Sequence, residues 1–145
     1  MKFKSIFFMV LVMSSQANAT PVATKLAPCL NSPNCVSSQA SPLDERHYIA
    51  PFIIKGTPEA AWLMLRTTLK KHDRTVITHE TATTLHAEAV SLVFSFVDDV
   101  DIILDADAGL IHIRSASRVG HSDFGVNRKR IETLRSQLQK ANVVE

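Results

Sequence analysis

Two apolar runs joined by a short turn constrain the fold of this chain more than any other feature. The first run covers residues 92–104, the second covers residues 110–119, and the turn DADAG lies between them. Strand-like runs on either side of a glycine-containing turn predict a β-hairpin. Strands joined by so short a connection pair antiparallel, so we expect the chain to build an antiparallel sheet.

Further strands and two helices complete the predicted fold. Residues 48–55 read as an edge strand interrupted by Pro51, and residues 75–79 and 84–90 as two more strands. Thr57 and Pro58 are typical of a helix start, and this helix is expected to end near residue 71. The sequence therefore predicts an α+β fold in the order β-α-β-β-β-β-α. The antiparallel sheet is expected to have about five strands, with two helices on one face.

The second helix is predicted to begin at Asp123 or a near neighbour and to end near residue 141. Its apolar residues recur at helical spacing, which predicts a stripe that faces the sheet. This stripe consists of Val126, Ile131, Leu134 and Leu138.

The N-terminus predicts export. Lys2 and Lys4 precede an apolar run at residues 6–13, and the small residues Ala17 and Ala19 follow. This arrangement is typical of a secretory signal peptide, here residues 1–19, and the run is too short to span a bilayer. We therefore expect a periplasmic or secreted protein with no transmembrane segment in its mature chain.

The charge balance argues against nucleic acid as a partner. Lys2 and Lys4 account for the whole excess of 16 basic over 14 acidic residues, so the mature chain has no overall basic field. The remaining length, about 125 residues, is enough for one domain with a modest core. We place this domain at residues 43–145, after an irregular arm at residues 20–42 that is rich in Pro, Ser, Asn and Ala.

The arm contains both cysteines, in the segment CLNSPNC at residues 29–35. An exported compartment permits a disulfide between Cys29 and Cys35. The segment is neither the CxxC of redox enzymes nor a four-ligand metal pattern, and a zinc site would have to recruit a distant histidine such as His47. We therefore predict a structural disulfide and no metal site.

The hairpin carries acids on one strand and arginines on the other. If Leu104 lies opposite Leu110, then Asp98 lies opposite Ala116. Arg114 and Arg118 would then be the diagonal neighbours of Asp98 on the same face of the sheet. A slip of one residue would exchange these assignments.

Two interpretations of this charge remain open. Gly120 and Gly125 lead into the second helix, whose free amides attract anions, so a phosphate or carboxylate ligand is one possibility. The candidate anion ligands are Arg114, Arg118, Asn127 and Arg128. The other interpretation, which we favour, is a structural network in which the protein's own charges neutralise one another. Its expected members are Asp98, Asp99, Arg114, Arg118, Asp123, Arg128 and Arg130.

Three segments of the chain resemble the motifs of a known family. They are CLNSPNCVSS, FSFVDDVDIIL and IRSASRVGHSDFGVNRKRIETLR. They are similar to the bacterial and plastid family called domain of unknown function 1499, and the resemblance covers about residues 29–139. Members often have proline where this chain has Leu30 and tyrosine where it has His121. The residues that match the family pattern are Cys29, Pro33, Asn34, Cys35, Phe96, Asp98, Asp99, Arg114, Ser115, Ser117, Arg118, Gly120, Ser122, Asp123, Gly125, Asn127, Arg128 and Arg130.

The resemblance implies no established activity, so function is weighed from the residues. We expect an exported, non-enzymatic factor of the cell envelope that binds a small molecule or lipid or assists assembly, without a cofactor. The order of elements is similar to a reduced helix-grip domain, a fold that holds apolar ligands. One alternative is a hydrolase that uses the region of Asp98, Arg118 and Ser122. Another is a structural or protein-interaction module that pairs with an envelope protein through an exposed strand edge.

Overall fold

The computed structural model describes residues 24–92 and 95–145. The signal peptide predicted at residues 1–19 lies outside the described residues. The described residues form an α+β fold of six strands and two helices, as the sequence predicts. The elements are β1 (Cys35–Ser37), β2 (Phe52–Ile53), α1 (Pro58–Lys70), β3 (Thr75–Glu80), β4 (Thr84–Val90), β5 (Val97–Asp105), β6 (Leu110–Ser117) and α2 (Val126–Lys140). Neither helix is long and apolar enough to cross a membrane in the part of the chain that the structure describes.

All strand pairs in the sheet are antiparallel, and the strand order is β1-β6-β5-β4-β3. The short strand β2 also pairs with β6, so β1 and β2 lie one after the other along the same edge of β6. Strand β1 falls within the arm that the sequence predicts to be irregular. Its three residues are too few to show an alternating pattern, but Val36 is buried in the core and fixes the segment there.

Helix α1 forms as its sequence predicts. The side chain of Thr57 accepts a hydrogen bond from the backbone N–H of Ala60 at 3.3 Å, and Pro58 occupies the first turn, where its missing N–H costs nothing. The predicted face of α1 packs on the sheet. Its buried residues are Ala61, Trp62, Leu65 and Leu69.

Helix α2 begins three residues after Asp123, and its buried stripe differs from the predicted one. Val126 is 45% exposed, and the first buried position is Asn127 instead. Asn127 lies four residues before Ile131, which keeps the helical spacing, so the prediction for Val126 is wrong because a polar residue takes the apolar position. The buried stripe consists of Asn127, Ile131, Leu134 and Leu138.

Both helices pack on one face of the sheet, which we call the inner face. Alternate residues of β4, β5 and β6 point into this core, because successive side chains of a strand point to opposite faces. The inner-face residues of these strands that join the core are Leu85, Ala87, Val100, Ile102, Leu104, Ile111 and Ile113. The outer face is the opposite one, and it carries the remaining residues of the same strands.

The hairpin register differs from the predicted one by a single residue. Leu104 lies opposite Ile111 and Asp105 lies opposite Leu110. The turn sets this pairing, since the Asp105 carboxylate accepts a hydrogen bond from the N–H of Ala108 at 3.0 Å and Gly109 adopts a positive φ of 68°. The predicted pairing of Leu104 with Leu110 is therefore wrong, and every side chain of β6 lies on the face opposite to the expected one relative to β5.

Candidate functional site

The shifted register separates the charges that the sequence was expected to bring together. Asp98 lies opposite Ser117 and points to the inner face, whereas Asp99 lies opposite Ala116 and points to the outer face. Arg114 and Arg118 also point to the outer face. The prediction that Arg114 and Arg118 flank Asp98 on one face is wrong, and two separate networks form instead.

The inner network is centred on an ion pair between Asp98 and Arg130 of α2. The Nη2 atom of Arg130 lies 2.5 Å from Oδ2 of Asp98, and Asp98 is only 3% exposed. The Nη1 atom of the same guanidinium donates to Oγ of Ser115 at 3.0 Å and to Oδ1 of Asn127 at 2.7 Å. A buried carboxylate is tolerated only when it is paired and hydrogen-bonded, and this arrangement meets both conditions.

Asn127 links the inner network to the start of α2. Its Nδ2 atom donates to Oδ2 of Asp123 at 2.7 Å and to Oγ of Ser117 at 2.9 Å. Its Oδ1 atom also accepts from Oγ of Ser115, at 2.5 Å. Asn127 has no exposed surface, so its amide has no group left for a ligand.

Asp123 holds the first turn of α2 from outside the helix. Its two carboxylate oxygens accept from the backbone N–H groups of Gly125 and Asn127, both at 2.9 Å. A carboxylate of the protein therefore occupies part of the helix start that the sequence offered to an anion.

The disulfide loop joins the same network. Cys29 and Cys35 are bonded at 2.03 Å, which confirms the predicted disulfide. Inside this loop, Nδ2 of Asn34 donates to the carbonyl oxygen of Gly120 at 2.7 Å, and the carbonyl oxygen of Asn34 accepts from the N–H of Ser117 at 2.9 Å. The loop therefore fastens the end of β6 and the segment that leads into α2.

The outer network contains the two hairpin arginines and residues of β4. The Nη2 atom of Arg118 lies 2.7 Å from Oδ1 of Asp99 and 2.5 Å from Oε1 of Glu88. Two hydrogen bonds raise the pKa of Arg118 above its ordinary value. The bond to Asp99 has the larger effect and the bond to Glu88 the smaller one. The side chain of Arg118 is 43% exposed, so water screens this pair of contacts.

His86 lies between the carboxylate of Asp99, which pairs with Arg118, and the carboxylate of Asp101, which pairs with Arg114. Its Nδ1 atom lies 2.6 Å from Oδ1 of Asp101, and Nη1 of Arg114 donates to Oδ2 of Asp101 at 3.1 Å. On the other side of the ring, Nε2 of His86 lies 3.4 Å from Oδ1 of Asp99. The outer network therefore consists of His86, Glu88, Asp99, Asp101, Arg114 and Arg118.

Three members of the outer network form a possible cation site. His86, Glu88 and Asp99 each offer one ligand atom, and these atoms lie within 4.8 Å of one another. Sequence spacing did not indicate this group because its members come from two strands. The sequence did show that His86 and Glu88 lie on the same face of β4. The site also needs Asp99, which the pairing of β4 with β5 places opposite Glu88.

The four candidate anion ligands do not converge. Arg114 and Arg118 lie on the outer face and Asn127 lies on the inner one. Arg128 donates from Nη2 to the backbone carbonyl oxygens of Glu45 and Arg46 at 3.2 and 3.1 Å. The donors predicted for an anion are therefore distributed over separate contacts within the protein.

The residues of the hydrolase alternative are also separated. Asp98 and Arg118 lie on opposite faces of the sheet, and the hydroxyl of Ser122 accepts from the N–H of Phe124 at 3.3 Å. General acid–base chemistry needs groups that reach one reacting atom, and these three groups do not.

The interface between the sheet and the helices is filled by side chains. Trp62 of α1 and Leu134 of α2 belong to the hydrophobic core. A pocket of about 500 Å³ lies away from this interface. It is formed by residues before β1, such as Leu26, and residues after β1, such as Gln39 and His47.

The chain was compared with protein families, curated proteins and solved structures. Neither the curated proteins nor the solved structures gave a match. One family model, described as protein of unknown function (DUF1499), matches residues 25–138, which is well over half of the chain. The matched range includes the disulfide loop, the hairpin and most of α2. The chain therefore belongs to the DUF1499 family of proteins of unknown function.

Proposed function

We propose that this protein is an exported, non-enzymatic binding factor of the cell envelope that recognises a small polar ligand through the outer face of its sheet. The observation that carries the proposal is the division of the hairpin charges between the two faces. The inner network holds α2 and the disulfide loop on the sheet. Among the described residues, the outer network makes no hydrogen bond or ion pair with either helix, so helix docking does not explain its six charged or ionisable side chains.

The arrangement of the outer network favours binding over catalysis. Asp99 and Glu88 share one guanidinium, and Asp101 is held between His86 and Arg114. These contacts hold the carboxylates in fixed positions, which suits them to orient a polar ligand. A polar ligand is favoured over a lipid because the outer network offers charged groups and the helix–sheet interface is filled.

Two features support export. The sequence at residues 1–19 has the pattern of a signal peptide, and the Cys29–Cys35 disulfide is typical of oxidising compartments outside the cytosol. These two features support our proposal of a periplasmic or secreted location.

Strand pairing with an envelope protein is supported less well. β3 lies at one edge of the sheet, and Val76 on this strand is exposed. However, the register of β3 shifts between Ile77 and His79, and irregularities of this kind protect strand edges from pairing with other chains.

Native mass spectrometry of the protein purified from its own envelope tests the proposal. We expect the wild-type protein to retain a small ligand that Glu88→Gln loses. The matched control is Glu59→Gln. It makes the same chemical change at an exposed position in the first turn of α1 and should keep the ligand. Equal retention by Glu88→Gln and by Asp99→Asn would place the ligand elsewhere and contradict the proposal.

A further inference from the structure

We infer that His86, Glu88 and Asp99 form a binding site for a divalent transition-metal cation of the Zn²⁺ type, and that Arg118 is the cation that gives way when the metal binds. This inference rests on the proposed function, because it identifies the ligand class of the same outer face. The three ligand atoms lie within 4.8 Å of one another. Small side-chain movements would bring all three to the roughly 2.0–2.2 Å that zinc requires of nitrogen and oxygen ligands.

The orientation of His86 is the first argument. Its Nδ1 atom is bound to the carboxylate of Asp101 at 2.6 Å, which places the other ring nitrogen, Nε2, toward Asp99. A histidine whose second ring nitrogen contacts a carboxylate is typical of metal ligands, since that contact orients the ring. Asp101 is itself held by Arg114 at 3.1 Å, so the supporting contact is well oriented.

The contact between His86 and Asp99 is the second argument. Nε2 of His86 lies 3.4 Å from Oδ1 of Asp99, which is longer than an ordinary N–H···O hydrogen bond. The two atoms therefore lie close together without a normal hydrogen bond between them, and one cation placed between them would coordinate both.

The position of Arg118 is the third argument. Its positive charge lies between the two carboxylates, where a bound metal ion would lie. Its Nη2 atom touches both of the other ligands, at 2.7 Å from Asp99 and 2.5 Å from Glu88. The side chain is 43% exposed and is therefore able to turn into solvent when a metal takes its place. One imidazole and two carboxylates leave a fourth tetrahedral position for water, as in many zinc sites.

Zinc titration of the purified full chain, first treated with a chelator, tests the inference. We expect one zinc ion per chain in the wild-type protein, and affinity lower by at least about 10-fold in His86→Gln and in Glu88→Gln. Asp101→Asn, which alters a positioning residue, should weaken binding by about 10- to 100-fold. The control His121→Gln changes an exposed histidine of the β6–α2 loop and should bind as the wild type does.

Arg118→Gln distinguishes a metal site from a purely structural network. Removal of the competing cation should tighten zinc binding several-fold, whereas the loss of a structural arginine would leave it unchanged or weaken it. Circular dichroism confirms that each variant is folded, and if His86→Gln fails to fold, Glu88→Gln and Arg118→Gln still decide the outcome. Equal zinc binding by the wild type, Glu88→Gln and Arg118→Gln overturns the inference.

The metal inference and the proposed function fail in different ways. If the chelator-treated protein binds no zinc but the protein from its own envelope retains a ligand that Glu88→Gln loses, the metal inference is wrong and the proposed function stands. If zinc binds at one site that is weakened in His86→Gln but not in His121→Gln, the metal inference stands whatever else is retained.

Discussion

Replacement of Asp98 by asparagine tests the separation of the two networks most directly. Asp98→Asn keeps the shape of the side chain and removes its charge. The guanidinium of Arg130 then faces only the neutral partners Ser115 and Asn127, although its side chain is just 14% exposed. Removal of one partner from a buried ion pair leaves the other charge uncompensated.

The expected loss follows from this burial. Breaking a buried pair costs about 3–5 kcal/mol of folding free energy. For a domain of this size each kcal/mol corresponds to roughly 3–6 °C, so the melting temperature of Asp98→Asn should fall by roughly 10–30 °C. Asp99→Asn is the matched control one residue away, on the outer face. Its pair with Arg118 is partly exposed and Arg118 keeps Glu88, so we expect a loss of no more than about 1 kcal/mol.

Urea unfolding followed by circular dichroism measures both variants against the wild-type protein. We expect Asp98→Asn to be the more destabilised of the two by at least about 2 kcal/mol. Equal losses in the two variants, or a larger loss in Asp99→Asn, would refute the assignment of Asp98 to the inner network and of Asp99 to the outer one.

Three further predictions concern the inner network, the disulfide and acid stability. Asn127→Ala should lower the free energy of unfolding by roughly 2–4 kcal/mol in chemical denaturation, because it leaves several buried polar groups without partners. Reduction of the Cys29–Cys35 disulfide should lower it by about 2 kcal/mol, as expected for a loop this small, in unfolding measured with and without a reductant. The hydrogen bond with His47 lowers the pKa of Asp44 from 3.8. A group with a lowered folded pKa stabilises above its unfolded value, and this contribution is lost as the pH falls through the folded pKa. Asp44→Asn should therefore melt below the wild type near neutral pH, and the difference should vanish well below pH 3.8.

Much of the fold follows from signals that lie within one segment of the chain. Thr57 and Pro58 indicate the start of α1, and the turn at 105–109 indicates the hairpin. Short connections between the last four strands then require antiparallel pairing. Each of these features depends on neighbouring residues, which is why the element order and the α+β class were predictable.

The features that sequence analysis missed depend on residues distant in sequence. The register of the hairpin is set by the hydrogen bonds of its turn, and an error of one residue moved every charge of β6 to the other face. Strand β1 exists because β6 offers it an edge, and its own three residues carry little signal. The site of His86, Glu88 and Asp99 requires the pairing of β4 with β5, which the residue spacing alone does not give.

The origin of each arginine shows why the two networks are separate. Asp98 is neutralised by Arg130, which belongs to the helix that covers the inner face, so this pair forms only if α2 docks on the sheet. Asp99 and Asp101 are neutralised by Arg118 and Arg114, which lie on the neighbouring strand and need no helix. The backbone of the sheet lies between the two sets, and each set forms its ion pairs without the other. Substitutions on the outer face therefore leave the docking of α2 intact, so a loss of ligand binding in those variants reports on recognition and not on folding.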